Sequence, residues 1–378
     1  MDFNYLEKYI LTNESYNQDD LIEIINKKDK IYLYGAGSGG ATTLKWLEQN
    51  SKCEIMGFID SDIKKQGEFL SNKRIFSPQE ILKDSDILIA STYHTEISKY
   101  LEENGFLNYI SLPIDLIIWD KFKTIKYLND IKEINKLREV YEILEDSTSK
   151  EFFIRTLLYR WSWDSSFIKQ SKYSQYCIEN IQKSNIHTIV DAGAFDGDTI
   201  KVFSGFFPSL KNIFAFEPTK KNILKIIEYS LNKKDNLKIF PVEKGLWDSE
   251  EQLSFFETDS IGGNNKIIED SSKENGLNKI NVIDLDSFLK NNSSLKIDLI
   301  KMDIEGAEYK ALLGSKKTIF KNNPILEICI YHDIDHYYDI ISFLENNYQG
   351  VYVYQIGHHS DWMMETVLYA IPKEKIER

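Results

Sequence analysis

The pattern of apolar and polar positions changes character twice along this chain. From residue 31 to 112, short apolar runs alternate with helix-period segments. "IYLY" leads into a glycine turn, "ATTLKWLEQN" repeats its apolar positions at helical intervals, and "CEIMGFID" reads as a strand again. "KRIFSPQEIL" then predicts a loop at Ser77-Pro78 leading into a short helix, followed by the strand "DILIAS", a helix from about Glu96 to Asn104, and "YISLP". From Ile114 to about Lys183 strand signals vanish. Apolar residues there recur every three or four positions, as in "IIWDKFKTIKYLNDIKEINKLREVYEILED", which predicts helices. Strand patterns resume in seven segments, "HTIVDAGA", "NIFAFEP", "LKIFPVEKG", "IDLIKMDIEG", "PILEICIYH", "VYVYQIGHH" and "ETVLYAIP". The first five alternate with long connections, as a parallel sheet demands. The last two, joined around "SDWMM", predict an antiparallel hairpin.

These patterns predict an α/β protein with two Rossmann-like domains. A helical lead-in occupies 1–30, a small parallel-sheet module 31–113, a helical connector 114–183, and a seven-stranded domain 184–378. The 378 residues exceed the size at which one core stops growing, so two domains fit the length. Within the connector, the aromatic run "LLYRWSWDSSFI" predicts packing against a neighbouring domain. The net charge of −13 makes nucleic acid a poor partner. Three widely separated cysteines suggest free thiols in a reducing compartment rather than a disulfide framework or zinc site. The acidic opening segment is unlike a secretory signal, and no stretch reaches the ~20 apolar residues of a membrane span. A cytoplasmic protein is expected.

The chemistry concentrates in "IVDAGAFDGDT", residues 189–199. A strand ends at Asp191, and Gly193 and Gly197 permit a tight turn before a helix near Thr199. The GxGxxG cradle for a pyrophosphate is missing, and Asp191, Asp196 and Asp198 would repel a phosphate. So acidic a loop suits a cationic ligand such as S-adenosylmethionine. At the end of the next strand, Glu217 can accept hydrogen bonds from both ribose hydroxyls.

"VDAGAFDGDT", "FAFEP", "LDSFL", "IDLIKMDIEGAEYKALLGS", "PILEICIYH" and "ETVLYAIP", in this order, resemble the signature segments of FkbM-type methyltransferases. "LLYRWSWD" and "YSQY" resemble segments that precede the catalytic domain in some longer members. The resemblance implies a class I methyltransferase sheet, S-adenosylmethionine as cofactor, and O-methylation of a sugar hydroxyl or other small acceptor, with a glycan or nucleotide-sugar as partner. It assigns Asp191, Gly193 and Gly197 to the methionine end of the cofactor, together with the loop residues Phe195 and Asp196, and Glu217 to the ribose. Asp248, after the third strand, is the adenine-side candidate or a turn-forming residue. Methyl transfer to an alcohol needs a base near the in-line trajectory. Asp303 and Glu305, at the end of the fourth strand, and His332, past the fifth, are the catalytic candidates. Equally, Glu305 could cap a helix, Asp303 hold the cofactor amine, and His332 serve structure. His332, Asp335 and His336 in "HDIDH" have metal-ligand chemistry, but simple methyl transfer requires no metal and none is expected.

A second glycine turn, "YLYGAGSGG", places Gly35, Gly37 and Gly40 at GxGxxG spacing, with Asp60 about 20 residues on. A complete dinucleotide fold uses two such halves, and only one is present. The segment from "GFID" to "SPQEIL" resembles small N-terminal Rossmann-like modules in enzymes of nucleotide-sugar and surface-glycan pathways. Gly35, Gly37, Gly40 and Asp60 therefore define a candidate nucleotide or nucleotide-sugar site, bordered by Ser91, Thr92 and His94. Paired modules of this kind also suggest a homo-oligomer, and a module kept for packing is the competing reading. An NAD(P)-dependent oxidoreductase, or a nucleotide-sugar-binding protein built on this turn, is the alternative function.

Overall fold

The computed structural model describes residues 1–13, 18–91, 93–111, 121–162, 164–232, 236–256, 266–268, 278–290 and 295–377, so Thr92 lies outside the described residues. Six strands form the N-terminal sheet: β1 (Lys30–Tyr34), β2 (Glu54–Ile59), β3 (Phe69–Leu70), β4 (Lys73–Phe76), β5 (Asp86–Ile89) and β6 (Asn108–Ser111). Their order is β3-β4-β2-β1-β5-β6, parallel except for the β3/β4 hairpin. A short 3-10 helix at Pro78–Glu80, closed by a Ser77/Glu80 capping box, follows β4 as the Ser-Pro pair predicted. Helix Ser38–Asn50 begins directly on the glycine turn. A Cβ at Gly35 would collide with the Ala90 carbonyl, and one at Gly40 with the Gly35 carbonyl. Both glycines thus let the helix start sit against two strand ends.

The C-terminal sheet contains all seven expected strands: β7 (Thr188–Ala192), β8 (Asn212–Phe216), β9 (Lys238–Val242), β14 (Leu299–Met302), β15 (Ile325–Cys329), β16 (Tyr352–His358) and β17 (Thr366–Pro372). Their order is β16-β17-β15-β14-β7-β8-β9, with five parallel strands and an antiparallel β16/β17 edge. Between β9 and β14 lies a second, four-stranded sheet that the strand pattern did not announce: β10 (Gly245–Leu246), β11 (Glu251–Phe256), β12 (Lys266–Ile268) and β13 (Asn278–Ile283). Two of these strands span only two or three residues, too short to carry a periodic signal.

Helices Asp198–Phe206 and Lys220–Asn232 cover one face of the large sheet, where Ile200, Phe203, Ile223 and Ile226 pack on Ile189, Ala215 and Leu299. The other face packs Ile300, Met302, Leu326 and Ile328 against helix His336–Tyr348 and the connector helix Ser147–Ser162. Tyr159, Trp161 and Phe167 are buried there, so the aromatic run does pack against the neighbouring sheet's core. Residues 1–30 do not act as one piece. Helix Gln18–Asn26 contributes Leu21 and Ile25 to the N-terminal module, whereas Phe3 and Leu6 of helix Phe3–Thr12 join the connector's core. Glu7 pairs with Arg138 at 2.6 Å, and the Trp161 indole donates to the Asn13 carbonyl.

Register brings four polar residues into one row across the buried sheet: Asp191 on β7, Lys301 on β14, Glu327 on β15 and Tyr369 on β17. Lys301 Nζ lies 3.2 Å from Asp191 Oδ1 and donates to the carbonyls of Gly193 at 2.7 Å and Ala192 at 3.2 Å. Burial alone would pull the ammonium down, but Asp191 and Asp303 hold it above the ordinary lysine value. Burial pushes Glu327 well above the carboxylate range, against the pull of Lys301. Removing the cation strands a buried carboxylate. Lys301→Met is expected to destabilise the fold by about 3–5 kcal/mol, read as a lower denaturation midpoint in guanidinium.

Candidate functional site

A cavity of about 500 Å³ opens at the carboxyl ends of β7, β8 and β14, in the size range of small-molecule sites. Its floor is the glycine turn. Gly193 has φ +76°, and the N–H groups of Gly193 and Ala194 both donate to the Phe216 carbonyl, at 3.0 and 3.1 Å. A Cβ at Gly193 would collide with the Asp303 carbonyl, so glycine is what lets β7 and β14 end so close together. Gly197, at φ +87°, caps helix Asp198–Phe206, and Phe195, Asp198 and Thr199 line the cavity.

Glu217 also lines it, from the end of β8. It is buried and accepts from the Thr219 N–H at 2.9 Å, the Thr219 hydroxyl, and Asn222 at 3.4 Å. Burial pushes its carboxyl up to about 7 against those hydrogen bonds. The small sheet supplies Gly245, Leu246 and Ile280 as another wall.

Several predicted residues sit elsewhere. Asp191 does not face the cavity: it is fully buried beneath the turn, held by Lys301 and by the Thr199 hydroxyl at 2.5 Å. The Asp196 carboxylate stands 3.4 Å from Lys225, outside the lining. Asp248 is in a separate groove, paired with Lys310 at 3.1 Å, because β10 continues from β9 and carries the chain past the cavity.

At the other end, three acids meet. Asp303 accepts from the hydroxyls of Tyr176 at 3.0 Å and Tyr331 at 3.1 Å. Burial raises its pKa, but Lys301, His332 and the Tyr176 hydrogen bond together hold it below the usual aspartate value. Glu305 is one-third exposed, and burial with the neighbouring Asp303 and Glu308 charges raises it against His332. Burial and Asp303 push Glu365 up to about 7 although Gln175 donates to it. His332 Nδ1 is 2.8 Å from Glu308, and Nε2 is 3.4 Å from Glu305 and 3.6 Å from Asp303. Burial alone would lower this imidazole, yet Glu308 and Glu305 hold it well above its ordinary range. His332 pairs with acids through both ring nitrogens and does not line the cavity, whereas Asp303 and Glu305 do.

Sequence reasoning missed Glu365, Glu308 and the cavity wall formed by Ser174, Gln175 and Tyr176 of "YSQY". Backbone strain marks several of these positions. Of seven non-glycine residues with positive φ among those described, Tyr176, Phe195, Glu305 and Glu365 all line this cavity. Such conformations cost about 1–3 kcal/mol each and gather where function over-determines geometry. His358 closes β16 and is buried, bonded to Thr366 at 2.8 Å; His359 follows in the connection to β17, bonded to Tyr369 at 2.9 Å, and neither lines the cavity.

In the N-terminal module, the Asp60 carboxylate is already engaged by the N–H groups of Ala36 and Asp62 and by Lys65 Nζ, each at 2.9 Å. It anchors the glycine turn rather than presenting free acceptors to a ribose. Of the three fingerprint glycines Gly35, Gly37 and Gly40, only Gly37, the uncapped start of helix Ser38–Asn50, has open space at its Cα.

A family model described as the methyltransferase FkbM domain matches residues 191–351, and one described as C2185-like, N-terminal matches residues 27–109. Comparison with curated proteins gives no match. Among solved structures, methyltransferase FkbM from Methylobacillus flagellatus KT aligns with a TM-score of 0.74 over 97% of this chain and 98% of its own, at 15% identity. That likeness is one of fold. UDP-D-quinovosamine 4-dehydrogenase from Vibrio fischeri covers 24% of this chain and 84% of its own, with TM-score 0.21 and 25% identity. Aeropyrum pernix fibrillarin, crystallised with natively bound S-adenosyl-L-methionine, covers 51% of this chain and 70% of its own, with TM-score 0.32 and 10% identity.

Gly193→Ala is expected to cost about 2–4 kcal/mol, because both the left-handed φ and the Asp303 carbonyl oppose a side chain. A thermal melt lowered by several degrees checks it. Gly205→Ala, on the open surface of helix Asp198–Phe206, should leave the melt within a degree or so.

Proposed function

With residues 191–351 a methyltransferase FkbM domain, we propose that the chain is an S-adenosylmethionine-dependent methyltransferase that methylates a sugar hydroxyl on a glycan or nucleotide-linked sugar. The observation that carries the cofactor is the acidic lining of the cavity: among the described residues, Asp198, Glu217, Asp303, Glu305 and Glu365 line it against one cation, Lys301. That wall disfavours a phosphate-bearing cofactor and favours one that carries sulfonium and ammonium charges. The residues fit such a group. Gly193 leaves its floor bare, and Glu217 offers a buried carboxylate at the strand end. When bound, S-adenosylmethionine supplies a methyl carbon made electrophilic by the attached sulfonium.

Gly193 and Phe195 would support the cofactor, and Glu217 would accept from its ribose hydroxyls. Asp303 stays ionised with its oxygens turned to Tyr176 and Tyr331, which suits holding a cationic amine. Glu305, partly exposed in the cavity, is the better placed of the two to take the acceptor's proton. Transfer in line also requires that the acceptor oxygen be held opposite sulfur, a task for the walls around Gln175 and Glu365. O- rather than N-methylation, the sugar nature of the acceptor, glycan biosynthesis and a cytoplasmic setting rest on the family resemblance and composition. No helix among the described residues is long and apolar enough to cross a membrane. For the N-terminal module we favour a packing or partner-binding role over a nicotinamide site, since Asp60 is committed to its own turn.

Calorimetry with S-adenosylhomocysteine tests the reading. One equivalent should bind, and Glu217→Ala should weaken it about ten- to a hundred-fold; binding of NAD(P)H alone would overturn the proposal. Ribose hydroxyls donate to the ionised form of Glu217, so a proton competes with the ligand. Affinity should therefore be flat above about 7 and fall towards tenfold per pH unit below it, a slope that Glu217→Gln removes. Against a panel of nucleotide-sugars, Glu305→Gln should cut turnover about 100-fold or more while leaving homocysteine-product affinity within about twofold. Unchanged turnover would dismiss Glu305 as the base.

A further inference from the structure

Of the acids that line the cavity, Glu365 is the least committed. Asp198 accepts from the Thr199 N–H at 2.7 Å, Glu217 from Thr219 and Asn222, and Asp303 from two tyrosine hydroxyls, while Glu305 stands 3.4 Å from His332 Nε2. Among the described residues, the Glu365 carboxylate accepts from the Gln175 amide alone, through Oε2. The two groups that could neutralise it are engaged elsewhere: Lys301 on Asp191 and the turn carbonyls, His332 on Glu308 at 2.8 Å. One Glu365 oxygen also lies within 4.8 Å of one from Asp303, so a second negative charge crowds it. Burial and that neighbour push its carboxyl up to about 7, as befits an acid without a counter-ion.

The backbone nevertheless fixes this side chain in place. Glu365 takes φ +63°, in the left-handed region, and the hairpin connection holds it there: the His359 N–H donates to its carbonyl at 3.0 Å, and the Ser360 hydroxyl to the Met364 carbonyl at 2.7 Å. Gln175, which orients the carboxylate, belongs to a segment clamped on the same hairpin. There the Ser171 N–H donates to the His358 carbonyl at 2.7 Å, and the Tyr176 N–H to the Tyr369 hydroxyl at 3.2 Å. A strained backbone that presents an acid to a cavity, with no cation of the protein to meet it, suits a cation brought by a ligand. S-adenosylmethionine leaves that need unmet: its sulfonium, ammonium and carboxylate sum to one positive charge, and Asp303 is the acid placed for its amine.

We propose that Glu365, oriented by Gln175, recognises a protonated amine on the methyl acceptor, so that the substrate is an amino sugar with its amine free. This rests on the methyltransferase reading and narrows it. A phosphate is the poorer fit, since Lys301, the one cation among the described lining residues, is 1% exposed and cannot reach out to it. Protonation of the amine also selects the reacting atom. Held as an ammonium against Glu365, the nitrogen has no lone pair with which to attack, and the methyl group goes to a neighbouring hydroxyl. That hydroxyl gives its proton to Glu305 as its oxygen lone pair forms the C–O bond. The C–S bond breaks in the same step, its bonding pair staying on sulfur as a neutral thioether.

The test gives the full chain S-adenosylmethionine with methyl aminodeoxyhexosides carrying the amine at each ring position in turn, their N-acetyl forms and the parent hexosides, and measures the S-adenosylhomocysteine released. A free-amine member is expected to show kcat/KM at least about tenfold above both its N-acetyl form and its parent, with the new methyl on oxygen by NMR. In Glu365→Gln that ratio should fall to within about twofold, while calorimetric affinity for S-adenosylhomocysteine stays within about twofold of wild type. Equal or better turnover of the neutral sugars, turnover of none of the panel, methylation on nitrogen, or a preference that survives in Glu365→Gln overturns the proposal. So does lost S-adenosylhomocysteine affinity in that variant, which assigns Glu365 to the cofactor's amine. Should Glu365→Gln fail to fold, the wild-type preference and the position of the methyl group still decide. Wild-type protein that binds no S-adenosylhomocysteine dismisses the methyltransferase reading itself; protein that binds it but prefers a neutral sugar dismisses the amine alone.

Discussion

Lys301 is the residue on which the site depends. Its ammonium sits inside the sheet, is countered by Asp191, and donates to the carbonyls of the two residues where β7 becomes the glycine turn. Burying such a pair is costly, and an apolar pair of like volume is often as stable. What an apolar pair cannot do is hold two carbonyls. By fixing the Ala192 and Gly193 oxygens, Lys301 sets where the turn points, and Asp303, two residues further on, inherits its position from the same strand.

How much of this was legible in the sequence depends on how local each signal is. The seven main strands and their hairpin edge were readable because each combines an apolar run with a flanking turn. The small sheet was not, since its pairing joins segments with one-sided or very short patterns. Gly193 and Glu217 were legible from the order strand, turn, helix, strand, acid. Asp191 was read as a ligand contact because its motif is one. The partner that turns it inward lies 110 residues away in sequence and is supplied only by strand register. Asp248 was misplaced for a similar reason: the chain makes another strand before reaching it. Glu365 and Glu308 lie inside the signature segments "ETVLYAIP" and "IDLIKMDIEGAE", yet nothing local marks their roles: the start of β17 brings Glu365 to the cavity, while Glu308 is buried behind it against His332.

The two glycine turns invite comparison. Both follow a first strand and start a helix, yet they spend their nearby carboxylates in opposite ways. In the N-terminal turn, Asp60 is consumed in holding Ala36, so the better sequence fingerprint belongs to the more self-contained structure. In the C-terminal turn, the structural work passes to the buried Asp191–Lys301 pair, which leaves Glu217 and the acids beyond β14 turned towards the cavity. A motif's glycines report the backbone geometry; the hydrogen bonds of the neighbouring acids decide whether anything is left to bind.

Helix Phe3–Thr12 packs on the connector, and the chain then leaves to build the whole N-terminal sheet before returning at helix Lys121–Asn129. Topologically the first module is therefore an insertion, tethered at both ends to the body that holds the cavity. The indole of Trp161 reaches back 148 residues to close this circuit at Asn13. Contacts across so long a loop carry a large closure entropy and add to contact order. Helix Phe3–Thr12 is thus a clasp across the inserted module, and its hold on the connector depends on contacts that the intervening sheet keeps far apart in sequence.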